Sequence, residues 1–445
     1  AGKPDALTVL PGISHFTENV LPMLLSQDRL LERFLRYVRI HTTSRDDAAS
    51  YPSSAGQWEL GKLLCSELQS MGIRDAVQDE HGLVWATVPA TLEGDLPVVA
   101  FNAHLDTSPE TSGEAVTPQV IRDYSGGDLR LPGNAERVIE VAENPELTQL
   151  HGHTLVTSDG TTLLGGDDKA GLAIIMEMAE TLMENSQIAH GPIRILFTCD
   201  EEIGHGVDHV DLDRLGADVG YTLDGAGAND IDVATFSADL AVVTIRGVNI
   251  HPSIAKDRMV NAIRAAGAFA ARLPREQSPE ATSEQEGFLH PYVIEGGVAE
   301  VTLKILLRDF ETEQLSVQAG QLRQIAAEIE SGFPGIAIEI DVRVQYRNMA
   351  DGLTAEPRAV EFAVEAHRRL GRTARLTTVR GGTDGSQLTE RGLATPNLSS
   401  GQHNPHSPLE WASLDEMVQA VEVTIELVQI WAAQAPSGDA AGNLG

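Results

Sequence analysis

The chain has 445 residues, and its 65 acidic against 32 basic side chains give a formal net charge of -33. That length exceeds one ordinary core and predicts two domains, or one large α/β domain carrying an insertion. The charge opposes nucleic-acid phosphates and anionic lipid surfaces, so neither is expected as a partner. Lysine is confined to Lys3, Lys62, Lys169, Lys256 and Lys304, which makes the surface acidic and leaves salt adaptation open. Only Cys65 and Cys199 are present, a usage that predicts a reducing, cytoplasmic compartment rather than a disulfide framework. No run approaches a membrane span, and residues 1–27 lack a basic start followed by an apolar block. These residues read as an N-terminal extension, and 435–445 as a disordered tail.

In chain order, apolar Leu30, Leu31, Phe34, Leu35 and Val38 predict a helix, as do Leu60, Leu63, Leu64, Leu68 and Met71. Short apolar runs then predict strands: 96–103 leading into His104, 194–198 into Asp200, and 219–223 into Asp224. Polar clusters just past strand ends are where open α/β sheets place their sites. Between 238 and 347 the pattern becomes strand (240–246), helix (257–273), strands (291–295 and 298–308), helix (313–329) and strand (336–346). That βαββαβ order predicts a ferredoxin-like insertion. A helix near 360–370, a strand through Val379 and a closing helix near 414–431 complete the first domain. The predicted division is therefore 28–236 and 348–434 for the main domain and 237–347 for the insert.

Three polar clusters carry the chemistry. His104-Leu105-Asp106 offers a histidine ligand and a carboxylate to fix its tautomer, although His-x-Asp alone is more often an ordinary surface pair. Gly165-Gly166-Asp167-Asp168-Lys169-Ala170-Gly171 opens a helix, where either aspartate could equally serve as an N-cap. Asp200-Glu201-Glu202 sets three carboxylates side by side, which is costly unless a cation or solvent relieves the repulsion. Neighbouring residues there can divide the work, Glu202 as ligand and Glu201 as general base. Two metals about 3.5 to 4 Å apart need a bridging carboxylate. Histidine with aspartate or glutamate suits zinc, and Co2+ or Mn2+ could substitute.

His104 to Pro109, Leu164 to Gly171, Asp200 to Gly204 and Tyr221 to Gly225 together resemble the signature set of the tripeptide aminopeptidases of the M20 metallopeptidase family, from about Asp28 to about Ala433. The resemblance implies a mixed-sheet α/β peptidase domain with an inserted α+β ferredoxin-like lid. It implies two zinc ions bridged by Asp167, with His104 and Asp224 completing one site and Glu202 and His406 the other. Asp106 and Glu201 would be the catalytic pair, Glu201 taking a proton from the metal-bridging water. His406 matches the family pattern by its spacing to Glu410, with His403 as the alternative. His251, Arg308 and Arg380 resemble substrate-binding positions, the arginines as clamps for a short peptide's terminal carboxylate. By physics alone, His251 could be a surface histidine and the arginines ordinary ion-pair partners.

Two departures bear on this. Gly166 stands where members commonly have alanine, and His251-Pro252-Ser253-Ile254 replaces a usual His-Pro-Gly-Thr, which leaves residue preference open. A homodimer through the lid is implied by resemblance only. The rival readings are another M20 hydrolase (dipeptidase, carboxypeptidase or amino-acid deacylase) and a non-catalytic peptide-binding protein.

Overall fold

A computed structural model describes residues 25–434. The expected extension and tail therefore lie almost wholly outside the described residues. The first elements are α1 (Gln27–Tyr37), α2 (Ala55–Ser70), β1 (Val77–Gln78), β2 (Val84–Val88), β3 (Val99–His104) and β4 (Gln119–Ile121). A small ribbon of β5 (Leu129–Arg130) and β6 (Val138–Ile139) precedes β7 (Leu155–Thr157), α3 (Gly166–Glu184), β8 (Ile193–Thr198), α4 (Leu212–Leu215), β9 (Val219–Ala226) and β10 (Asp230–Thr235). Then come β11 (Ser237–Arg246), α5 (Ala262–Ala270), β12 (Phe288–Gly296), β13 (Glu300–Asp309), α6 (Thr312–Gly332) and β14 (Ala337–Tyr346). The chain closes with α7 (Met349–Leu353), α8 (Arg358–Arg369), β15 (Arg375–Val379), α9 (Asp384–Glu390), β16 (Asn397–His403), β17 (Trp411–Ser413) and α10 (Leu414–Ala432).

The chain divides into two compact units, one of residues up to Ile231 with 357–375 and from Asn397 on, the other of 232–356 with 376–396. The second unit is wider than the 237–347 read from sequence, because 348–356 and 376–396 pack with it. In the first unit the sheet runs β1-β2-β8-β3-β9-β16-β17-β7-β4. Its middle pairs, β3 with β8, β3 with β9 and β9 with β16, are parallel, while the flanking pairs are antiparallel. Strand β3 is buried at every residue, as a central parallel strand covered on both faces must be. Helix α3 is apolar nearly all round and packs against α1, α10, β3 and β9. Ser26 caps α1 by accepting the Arg29 amide at 3.2 Å, and Arg29 and Arg33 pair with Glu177 and Glu180 of α3. No described helix is long and apolar enough to cross a membrane. Cys65 and Cys199 are both buried and form no disulfide.

The second unit has the predicted βαββαβ order, with a four-stranded antiparallel sheet β12-β13-β11-β14. Alternating Ala241, Val243 and Ile245 of β11 meet Val301, Leu303, Ile305 and Leu307 of β13, and Phe269 and Leu322 from the two helices close this core. The helix predicted over 257–273 is shorter, Ala262–Ala270. Val260 is held in an antiparallel bridge to Val248, and the Asn261 side chain caps the helix by accepting the Ile263 amide at 2.9 Å.

Candidate metal centre

The parallel strands of the first unit bring the polar clusters to one sheet end. His104 closes β3 and pairs in register with Thr198 of β8, two residues before Asp200. Asp224 lies inside β9 rather than beyond it, because that strand continues to Ala226. Its backbone amide donates to Asn397 Oδ1 at 2.9 Å, and Gln402 Nε2 donates to its carboxylate at 3.0 Å.

Asp167 is the hub. Its Oδ1 lies 2.9 Å from His104 Nε2 and its Oδ2 lies 3.3 Å from His406 Nε2. Glu202 Oε2 lies 2.8 Å from the same His406 nitrogen, and Asp224 Oδ1 is 3.9 Å from His104 Nε2. One carboxylate thus faces two histidines, each with a second carboxylate beside it. The capping alternative belongs to the neighbour: Asp168, fully buried, accepts the His104 and Gly171 amides at 3.1 and 3.3 Å. Asp168 was not foreseen as part of the site's frame, since adjacent aspartates in a helix-opening turn carry no signal of which one turns inward.

Asp106 has two tasks. The His104 Nδ1 nitrogen lies 3.2 Å from the Asp106 carbonyl and 3.4 Å from its carboxylate, so either oxygen fixes the tautomer that leaves Nε2 facing Asp167. The carboxylate also accepts the amides of Glu201 and Glu202 at 3.0 and 3.1 Å. Glu201 Oε2 consequently stands 4.0 Å from His104 Nε2. Asp200, the first of the three acids, turns away: it accepts the Ser53 amide and Gln57 Nε2, both at 2.6 Å, and holds α2 to the end of β8.

The electrostatics follow from burial and crowding. Burial, then the charge of Asp167, pushes Glu202 up to about 7 and Asp224 well above the usual carboxylate range. Burial opposes a charged imidazole, but Asp167 and Glu202 outweigh it at His406 and lift it to about 11. At His104 burial is likewise outweighed, here by Asp106 and Asp167, and the imidazole is raised. The carboxylates draw whatever positive charge is at hand.

The donor set fits divalent metal. Among the described residues, ligand atoms of His104, Asp167 and Glu202 lie within 4.8 Å of one another, as do those of His104, Asp168 and Asp224. Asp167 Oδ1 and Glu202 Oε1 are buried with no hydrogen-bond donor in acceptable geometry among the described residues. Buried carboxylate oxygens left without donors are costly unless a cation takes them. Nitrogen and oxygen donors in this mix suit zinc-type ions.

His403 stands apart from this centre. Its ring stacks on Trp411 at 3.7 Å, Nε2 contacts Glu416 at 2.7 Å and Nδ1 faces Glu146 at 3.6 Å. His406 instead reaches Asp167 and Glu202 from a backbone with φ +60, its carbonyl held by Thr111 Oγ1 at 2.6 Å.

The remaining sequence candidates lie in the second unit. His251 is exposed, with Nδ1 2.7 Å from Ser253 Oγ. Arg308 Nη1 donates to the Arg380 carbonyl at 3.3 Å, and Arg308 Nε has no hydrogen-bond partner among the described residues. Arg380 is already engaged by the Glu284 and Glu286 carbonyls and Thr282 Oγ1, over the rings of Phe236 and Phe288.

The profile of peptidase family M20/M25/M40 matches residues 148–430. The peptidase T of Geobacillus kaustophilus (strain HTA426) is 41% identical over 407 residues, covering 91% of this chain and 98% of its own. That of Bacillus subtilis (strain 168) is 39% identical over 409 residues, covering 92% of this chain and 100% of its own. Among solved structures, aminopeptidase PepT from Bacillus cereus ATCC 10987 superposes with a TM-score of 0.70 at 26% identity, covering 92% of this chain and 100% of that one.

Proposed function

The chain belongs to peptidase family M20/M25/M40, and from that membership we propose that it is a dinuclear metallopeptidase releasing the N-terminal residue of tripeptides. The observation that carries the site reading is Asp167, whose two oxygens face His104 and His406 while Glu201 stands beside them on the amides gripped by Asp106. Asp167 would be shared between two ions, one of which His104 and Asp224 would also hold and the other Glu202 and His406. Zinc is the proposed occupant, two ions per subunit, supplying Lewis acidity toward the scissile carbonyl and acidifying an attacking water.

Glu201 takes the proton of the attacking water and passes it to the leaving amine. Asp106 keeps the His104 Nε2 lone pair directed inward and holds the peptide segment carrying Glu201 and Glu202. Arg308 is the stronger candidate for the substrate's terminal carboxylate, because its Nε is unpartnered among the described residues while Arg380 already has three oxygen acceptors. His251 is the candidate for holding the reacting carbonyl. A homodimer through the second unit is supported by exposed Tyr292, Ile294 and Val344 on its edge strands β12 and β14. The cytoplasm is the proposed compartment, supported by a cysteine usage of two in 445 residues with no disulfide between them.

The test is hydrolysis of Ala-Ala, Ala-Ala-Ala, Ala-Ala-Ala-Ala and N-acetyl-Ala-Ala-Ala by zinc-loaded wild type and Glu201→Ala, reading products as well as rates. Release of N-terminal alanine chiefly from the free tripeptide, abolished in the variant, is expected. Preference for the dipeptide or the acetylated peptide would move the chain to another activity of the family.

A further inference from the structure

Glu410 is a buried carboxylate, 1% exposed, in the loop that also carries His406. Its Oε2 accepts the amides of Leu164 and Gly165 at 2.7 Å each, and its Oε1 accepts the amide of Asp167 at 3.0 Å. These are donors of the turn that opens α3, where helix amides have no partner within the helix. A charged acceptor binds them more strongly than a neutral one. The approach is close: a methyl group on Gly166 would stand 3.1 Å from Oε1. Each end of this contact reaches the centre, since Asp167 Oδ2 and His406 Nε2 are 3.3 Å apart.

We propose that Glu410 is a positioning residue that sets the bridging carboxylate, clamping the 164–167 turn to the His406 loop so that Asp167 and His406 present their donors as one rigid pair. The inference rests on the dinuclear-metal reading above. A buried carboxylate that grips three amides of one turn, and no other donor among the described residues, fixes that turn's path. The path in turn fixes where the Asp167 side chain begins. A neutral amide of the same size would keep the packing but turn an N–H₂ group toward part of the donor set, so the turn would lose at least one of its bonds.

The experiment uses the full chain as wild type, Glu410→Gln and Glu422→Gln, the last being a buried carboxylate paired with Arg372 outside the centre. Each protein is stripped with chelator and titrated with zinc against a chromophoric competitor. Cobalt(II) absorption spectra, and kcat and KM on Ala-Ala-Ala, are measured beside it. Glu410→Gln is expected to bind zinc about 10- to 100-fold more weakly, to alter the cobalt spectrum and to lower kcat at saturating metal by about tenfold or more, with KM little changed. Glu422→Gln is expected to lose thermal stability while keeping the wild-type spectrum and zinc affinity. Should Glu410→Gln not fold, Glu410→Asp, which keeps the charge but withdraws it by one methylene, gives the same readouts with a smaller loss. Wild-type zinc affinity and spectrum in a folded Glu410 variant, with only a lowered Tm, overturns the proposal and leaves Glu410 as support for the fold. A wild type that takes up no metal overturns the metal reading and this inference together, an outcome distinct from the previous one because it appears before any substitution.

Discussion

Glu201 and Glu202 share one orienting group, because both backbone amides point at the Asp106 carboxylate. Their side chains then diverge, Glu202 to His406 and Glu201 toward His104. Replacing Glu201 by alanine removes the proposed proton carrier but none of the proposed ligands. The expected result is a kcat lowered by about 10²- to 10⁴-fold with zinc content unchanged, read by steady-state kinetics beside metal analysis. Asp106→Asn acts differently, since an amide would set an N–H₂ group against the Glu201 or Glu202 amide. A loss of about 10- to 100-fold spread over both kcat and zinc affinity is expected, and a change in only one of the two would contradict the double role.

Two contacts between elements decide whether those residues meet. Helix α3 crosses β9 so closely that a Cβ on Gly171 would stand 2.3 Å from the Leu223 carbonyl, next to Asp224. Gly171→Ala must push the helix off the strand, at a cost of about 1–3 kcal/mol, readable as a drop in urea midpoint. Unchanged stability would mean that the contact relaxes freely. The hairpin of β16 and β17 closes on the rung His403–Trp411, with Glu416 and Glu146 on the two imidazole nitrogens. Burial opposes the charged ring, but the two carboxylates outweigh it and raise His403 above 6.5. A histidine raised in the folded state contributes stability that is full below its unfolded value and is lost as pH climbs through the folded one. The Tm difference between wild type and His403→Gln is therefore expected to shrink from pH 6 to pH 9, and a difference that grows would reverse the assignment.

Across the whole molecule, a net charge of -33 sets the compact state against its own repulsion. Salt shortens the range of that repulsion, with a screening length of about 10 Å at 0.1 M and about 3 Å at 1 M. Calorimetry is expected to show Tm rising from 0.05 to 1 M KCl, and a flat or falling Tm would show that local ion pairs such as those of Arg29 and Arg33 outweigh the global field. Metal acts on the same scale. A ligand at 100 times its Kd adds about 2.7 kcal/mol per site, so chelation is expected to lower Tm and zinc to restore it.

The longer helices, the central strands and the βαββαβ order of the second unit were legible because each carries its own periodicity, whereas short strands such as β4, β5, β6 and β17 carry too few residues to show one. Composition and spacing marked the acidic and histidine clusters, while the choice of His104, Asp106, Asp167, Glu201, Glu202, Asp224 and His406 as a set rests on the resemblance to the M20 motifs. The exact start of α5 was not legible, because Val260 is claimed by a strand bridge that no local pattern reveals. Nor was the choice between adjacent acids: Asp168 and Asp200 read like Asp167 and Glu202 in sequence, yet hydrogen bonds to His104, Gly171, Ser53 and Gln57 make them parts of the frame. Glu410, some 245 residues from the turn it grips, was visible only as a spacing from His406. Residue chemistry and periodicity are local properties, and the sequence determines them directly. Which carboxylate meets a histidine and which meets an amide depends on distances across the sheet, and those exist only once the chain has folded.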